Sequence, residues 1–154
     1  MRHISWDEMS ADCRKLATQI KSAGHDYDLV IGLLRGGCVP ATMISHDLDV
    51  PMMSIGIRSY DDQNKTDKVD AYQASYGDIF NLKQRRSIDK VLVVDDLSDS
   101  GDTFNYIHKM YAGVFNTIHT AAPYIKTGTN HVPTYYSHEC SSDLWLVFPW
   151  ENTL

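Results

Sequence analysis

Apolar positions along the chain first recur with the period of a helix. Ser5 and Glu8 have the spacing of a capping box, in which two side chains satisfy backbone donors at a helix start. Trp6, Met9, Cys13, Leu16, Ala17 and Ile20 follow at three- and four-residue intervals, giving one apolar face that Gly24 ends. Leu29 to Leu34 is a short apolar run without alternation, the pattern of a strand covered on both faces. Arg35-Gly36-Gly37 breaks it, and Val39 to Leu48 reads as a second helix with Pro40 in its first turn. Met52 to Ile57 predicts another strand, and Val91-Leu92-Val93-Val94 a further buried one. A third helix is expected from Thr103 to Tyr111, with Phe104, Ile107, His108 and Tyr111 on one side and Gly113 as its stop. Val114 to Thr120, Tyr135-Tyr136 and Leu144 to Phe148 are the remaining strand candidates. Strands alternating with helices predict an α/β domain with a mostly parallel sheet.

The pattern lapses between Asp61 and about Arg86, where Asp, Asn, Gln, Lys and Arg dominate around scattered Tyr72, Tyr76 and Phe80. A stretch of this length inside a compact domain is a mobile lid, a disordered segment or a solvated face. The 154 residues fit one domain, 1–154, and 43% apolar content excludes disorder, collagen and coiled coil as whole-chain descriptions. No apolar run approaches the roughly 20 residues that span a bilayer, so no membrane partner is expected. The first residues turn acidic at Asp7 and Glu8 and lack the apolar segment of a secretion signal. Cys13, Cys38 and Cys140 are odd in number and show no metal-binding spacing, which points to a reducing, cytoplasmic setting. A net charge of −6 argues against broad nucleic-acid binding. It is compatible with a small phosphorylated substrate, provided a metal ion and local donors offset the charge.

The chemistry concentrates in Val91-Leu92-Val93-Val94-Asp95-Asp96-Leu97-Ser98-Asp99-Ser100-Gly101-Asp102-Thr103. In an open α/β sheet, ligands bind beyond the carboxyl ends of strands, and Asp95 and Asp96 leave the strand there. Ser98, Ser100, Gly101 and Thr103 then form a small-residue turn into a helix N-terminus, where backbone N–H groups and the helix dipole suit a phosphate monoester. Two carboxylates beside such a cradle suit a sugar phosphate, accepting from vicinal hydroxyls and holding hydrated Mg²⁺.

These thirteen residues resemble the phosphoribosyl-pyrophosphate (PRPP) motif of the type I phosphoribosyltransferases. Leu33-Leu34-Arg35-Gly36-Gly37-Cys38-Val39-Pro40 looks like the pyrophosphate loop of the xanthine-guanine phosphoribosyltransferases, and Ser59-Tyr60-Asp61 like the start of their flexible loop. Leu144-Trp145-Leu146 with Pro149-Trp150-Glu151 resembles their C-terminal hood, and Trp6-Asp7 their opening helix. The resemblance implies a type I fold with a flexible loop at about 61–86 and a hood at about 123–154. It implies transfer of ribose 5-phosphate from PRPP to a purine base, giving a nucleoside monophosphate and pyrophosphate in nucleotide salvage. Arg35, Gly36 and Gly37 would receive pyrophosphate, and Asp95 and Asp96 would hold the ribose hydroxyls directly or through Mg²⁺. Ser98, Ser100, Gly101, Asp102 and Thr103 would hold phosphate, while Asp99 would act as general base on the purine. Ser59 and Tyr60 would belong to the closing loop. Trp145 would stack on the base, with Leu146, Lys126 and Glu151 around its edge. A homo-oligomer, dimer or tetramer, is expected by analogy.

Three positions depart from the family pattern. Ala122 precedes Pro123 where the xanthine-guanine enzymes carry a lysine that contacts the purine 6-oxo group, and Lys126 is the nearest alternative donor. Asp102 stands where the phosphate loop usually has a small residue or lysine, and Glu151 replaces the Asp of Pro-Trp-Asp. Ala122 and Asp102 keep two other readings open, a regulatory PRPP- or nucleotide-binding protein and a transferase for another base. A strand ending in two acids also occurs in receiver domains, but there the pair lies near the chain start. Fold alone does not decide function.

Overall fold

The computed structural model describes residues 1–60, 68–73, 81–84 and 86–151. In chain order the elements are β1 (Arg2–His3), α1 (Trp6–Ser22), β2 (Leu29–Leu34), α2 (Cys38–Leu48), β3 (Met52–Tyr60), β4 (Lys68–Gln73), β5 (Lys90–Val94), β6 (Leu97–Ser98), α3 (Asp102–Tyr111), β7 (Thr117–Lys126), β8 (Tyr135–Cys140) and β9 (Leu146–Val147). The main sheet runs β4-β3-β2-β5-β7, with the short β6 following β5 along one edge of β7 and β8 paired with the other edge. All its pairings are parallel except β3 with β4. This is the mostly parallel α/β sheet expected from the alternation of elements.

The capping box at α1 is present: Ser5 Oγ accepts from the Glu8 N–H at 3.1 Å, and the Ser5 N–H donates to Glu8 Oε2 at 2.8 Å. Met9, Cys13, Leu16, Ala17 and Ile20 form the buried face of the helix, as their spacing requires. The strands β2 and β5 lack polar alternation because both their faces are covered. Val30, Leu92 and Val94 pack with α1 and α2 residues such as Leu16 and Ile44. Leu29, Ile31, Leu33, Val91 and Val93 pack on the other side against Phe104, Ile107 and Tyr111 of α3.

Four expectations change. The strand predicted over 114–120 runs instead from Thr117 to Lys126, while Val114 and Phe115 are buried in the turn that leaves α3. Pro123 is accommodated inside β7 because neither neighbour needs its missing N–H. The β7 ladder passes from Ala121 to Tyr124 on one edge and from Ala122 to Tyr124 on the other. The Tyr135-Tyr136 strand continues to Cys140, and the candidate at 144–148 shortens to Leu146–Val147. That short strand pairs in parallel with β1, which hydrophobic pattern did not reveal. Finally, part of the polar stretch expected as a lid carries regular structure: β3 runs on to Tyr60, residues 68–73 form β4, and 81–84 are helical. The rest of the expected 61–86 loop, residues 61–67, 74–80 and 85, lies outside the described residues. No described helix is long and apolar enough to cross a membrane.

Candidate active site

Because β2 and β5 are parallel neighbours, the loops leaving their carboxyl ends meet. Gly32 is level with Val94, so the Arg35-Gly36-Gly37 loop and the Asp95-Asp96 pair lie side by side. The contact is close enough to exclude side chains. A Cβ on Gly36 would overlap the Asp96 carboxylate, and one on Gly37 would sit 2.7 Å from the Leu33 carbonyl and 2.8 Å from Asp95 Cα. The loop is entered through a cis peptide between Leu34 and Arg35.

Asp95 and Asp96 occupy the break between β5 and β6, two strands that pair with the same edge of β7. The Asp95 N–H donates to the Ala121 carbonyl at 3.1 Å, which continues the ladder by one residue. Asp95 Oδ1 accepts from the Asp96 N–H at 2.9 Å. Desolvation, then the adjacent Asp96 charge, holds the Asp95 carboxyl well above the ordinary carboxylate range. Desolvation also pushes Asp96 up to about 6, and the nearby Glu151 charge adds to it. Two hard carboxylates crowded in this way suit Mg²⁺, which takes oxygen ligands and neutralises charge. Among the described residues no three His, Cys, Asp or Glu side chains converge to hold an ion by themselves. A metal there would therefore need oxygens from a bound phosphate compound or water.

The remainder of the motif divides between ligand-facing and inward positions. Gly101, at φ +89°, opens α3 without a side-chain cap of its own; Ser100 Oγ accepts from the Asp102 N–H at 3.2 Å. Asp99 and Ser100 are exposed, and Asp102 and Thr103 half-buried, at this helix start. Ser98 is different. It is 2% exposed, and its hydroxyl donates to the His131 carbonyl at 2.8 Å.

Two cavities adjoin the acidic pair. One, of about 770 Å³, is lined by Arg35, Gly36, Asp96, Trp145, Trp150 and Glu151, with Val147. The other, of about 300 Å³, is bounded by Asp99, Lys126, Leu144, Leu146 and Phe148, and shares Asp96, Trp145 and Glu151 with the first. Trp145 is 71% exposed at this shared wall. Lys126 is 5% exposed; its ammonium donates to the Ser141 carbonyl at 3.2 Å and to the Leu144 carbonyl. Ala122, by contrast, is buried on the α3 face of the sheet. Glu151 accepts from the Phe148 N–H at 2.9 Å and so closes the turn over residues 148–151. Ser59 and Tyr60 lie in β3, and their side chains are outside the described residues. Phe148 and Trp150, stacked at 5.0 Å and 4°, are pocket residues that sequence reasoning treated as strand and motif only.

A family profile described as phosphoribosyl transferase domain matches residues 5–153. The chain belongs to this phosphoribosyltransferase family. Its relatives include the xanthine-guanine phosphoribosyltransferases of Cereibacter sphaeroides, 33% identical over 99% of this chain and 87% of that protein, and of Roseobacter denitrificans, 32% identical over 99% and 86%. Among solved structures, a purine phosphoribosyltransferase from Pyrococcus horikoshii superposes with a TM-score of 0.77 at 26% identity, covering 99% of this chain and 95% of that one. A protein from Neisseria gonorrhoeae with bound ppGpp gives 0.81 at 26% identity, covering 99% and 90%. The type I phosphoribosyltransferase fold expected from the motif is the fold of this phosphoribosyltransferase.

Proposed function

We propose that this phosphoribosyltransferase moves ribose 5-phosphate from PRPP to a guanine-, xanthine- or hypoxanthine-like base, in purine salvage. The observation that carries the reading is the contact between Gly36 and Asp96, which sets a pyrophosphate-type loop directly against the acids of the PRPP motif. The C1–O bond of PRPP breaks with oxocarbenium character, so charge must be neutralised on the departing pyrophosphate. Arg35 and the N–H groups of Gly36 and Gly37 supply donors for it. Asp95 and Asp96 accept from the ribose 2′- and 3′-hydroxyls. They would also hold Mg²⁺, which neutralises pyrophosphate charge when bound.

Ser100, Gly101, Asp102 and Thr103 receive the 5′-phosphate at the start of α3. Asp99, exposed on the wall of the smaller cavity, takes the proton as the purine nitrogen attacks. Trp145 stacks on the base. The Lys126 ammonium faces an acceptor on the base edge, a role that Ala122 has no group to fill. Leu146 contributes its backbone, since the flanking carbonyls of Trp145 and Val147 already accept from Arg2 and Ile4. The chain would act as one domain with its hood at about 123–154, in the cytoplasm and as a homo-oligomer.

Pyrophosphate release from PRPP and Mg²⁺, followed with guanine, xanthine, hypoxanthine, adenine, uracil and orotate, tests the reading. Turnover is expected with the oxopurines, and Lys126→Met should weaken them relative to adenine. No turnover with any base, with nucleotide binding retained, would favour the regulatory alternative. The likeness to a ppGpp-bound structure gives that alternative its support, so ppGpp belongs among the nucleotides tried.

A further inference from the structure

The turn between β7 and β8 meets the 98–101 loop at three points. Ser98 Oγ donates to the His131 carbonyl at 2.8 Å and lies 3.1 Å from Thr129 Oγ1. The Ser100 carbonyl accepts from the Asn130 N–H at 2.7 Å. At Gly101, a Cβ would overlap the backbone nitrogen of His131. Ser98 therefore directs its hydroxyl into this contact, and the backbone of Ser100 and Gly101 rests on the same three-residue turn.

The turn is fixed in its place by the imidazole of His131. Nδ1 is 3.0 Å from Asn105 Oδ1 in the first turn of α3, and Nε2 is 2.9 Å from Thr120 Oγ1 on β7. With the Asn105 amide oxygen as acceptor, Nδ1 carries the proton, and Nε2 accepts from the Thr120 hydroxyl. Thr120 Oγ1 in turn accepts from the Thr134 N–H at 3.2 Å. One neutral side chain thus satisfies both its ring nitrogens while joining β7 to α3. Its ring packs against Phe104, with centroids 5.1 Å apart.

We propose that His131 is a positioning residue for the phosphate subsite: it fixes the 129–131 turn, and through it the backbone of Ser100 and Gly101 that receives the 5′-phosphate. The proposal rests on the PRPP reading above. A cradle of backbone donors works only when it is already in place, and displacements of about 1 Å are enough to lose about 100-fold in rate. Between β6, which pairs with β7, and the start of α3, the exposed Asp99 and Ser100 meet the turn through the Ser100 carbonyl. His131 does not border either of the two cavities beside the acidic pair. Its influence should consequently fall on PRPP and leave the base alone.

Initial rates of the full chain, with PRPP and the best base varied in turn, separate these effects for His131→Ala, Asn105→Ala and His131→Gln. His131→Ala should raise the KM for PRPP about tenfold or more while the KM for the base stays within about twofold. Asn105→Ala, which removes one of the two anchoring hydrogen bonds, should shift it in the same direction by less. His131→Gln, whose amide can meet one partner, should recover part of the loss. Equal rises in both KM values, or an unchanged KM for PRPP, would overturn the proposal. If His131→Ala does not fold, Asn105→Ala carries the same comparison: a rise confined to the PRPP value supports the proposal, and equal or absent rises overturn it. A wild-type chain that releases no pyrophosphate with any base removes the PRPP reading and the proposal together. An active wild type indifferent to both alanine substitutions removes the proposal alone.

Discussion

The Arg2 N–H donates to the Trp145 carbonyl at 2.8 Å, so β1 holds the backbone of the residue proposed to stack on the base. Two positions on, the Ile4 N–H donates to the Val147 carbonyl at 2.9 Å. Ile4→Pro removes the second donor, whereas Ile4→Val keeps it and alters the side chain by one methylene. A net hydrogen bond of about 0.5–1.5 kcal/mol corresponds to roughly a two- to tenfold change in an equilibrium. The KM for the base should rise by about that factor in Ile4→Pro, with little change in Ile4→Val and in the KM for PRPP. A rise in the PRPP value alone would contradict this assignment of the strap.

Gly37 offers a sharper test of the junction between the loop and the acids. Its missing Cβ would lie 2.7 Å from the Leu33 carbonyl and 2.8 Å from Asp95 Cα, and backbone atoms yield less readily than side-chain ends. Gly37→Ala should cost about 1–3 kcal/mol in unfolding free energy, by overpacking, and about 100-fold in turnover by displacing the donors. Gly113→Ala serves as control: nothing lies within 4 Å of its Cβ, although its φ of +76° adds local strain. It should lose a little stability and keep turnover. Full activity in Gly37→Ala would show that the loop has room the structure denies it.

Much of this arrangement is legible in residue order, for reasons that also mark the limit. The buried face of α1 and the strands β2 and β5 are set by burial, which leaves a periodic trace. The PRPP motif keeps its chemistry contiguous, so Asp95 through Thr103 can be read together. β1 and β9 are two residues each and carry no period; only their mutual pairing makes them strands. The surroundings of Lys126 follow from the extension of β7 past Pro123, which brings its ammonium to the Ser141 and Leu144 carbonyls. The contacts of Thr129, Asn130 and His131 arise from a fold that returns the chain to the 98–101 loop some thirty residues later. No local spacing records such a contact.

Three histidines should make stability depend on pH. Burial lowers the proton affinity of His108, His119 and His131, with His25 adding to the effect at His119 and His108 adding to it at His131. His119 Nδ1 also lies 2.5 Å from the Tyr27 hydroxyl. The unfolded chain takes up these protons near pH 6.5, the folded chain only at lower pH. Their contribution is therefore fully present above about pH 6.5 and is lost as pH falls through the folded values. The raised Asp95 and Asp96 act with opposite sign in an overlapping pH range, but are common to a wild-type and variant pair. Urea unfolding between about pH 7.5 and 5.5 should fall less steeply in His119→Gln than in wild type. Parallel slopes would show that His119 titrates alike in both states.

Asp99 separates catalysis from binding most directly. It is exposed beyond the crowded Asp95-Asp96 pair and borders the smaller cavity together with Lys126 and Trp145. A group that removes the purine proton acts in the transition state, so its loss lowers kcat without a matching loss of ground-state PRPP affinity. Asp99→Asn keeps the shape, removes the base, and should reduce kcat by about 100- to 10,000-fold. The Kd for PRPP, measured without base by calorimetry, should stay within a few-fold. The same chemistry requires the defect to persist at saturating PRPP and saturating base. Equal losses in kcat and PRPP affinity would instead make Asp99 part of the phosphate and ribose grip, leaving the proton to another group on the cavity wall.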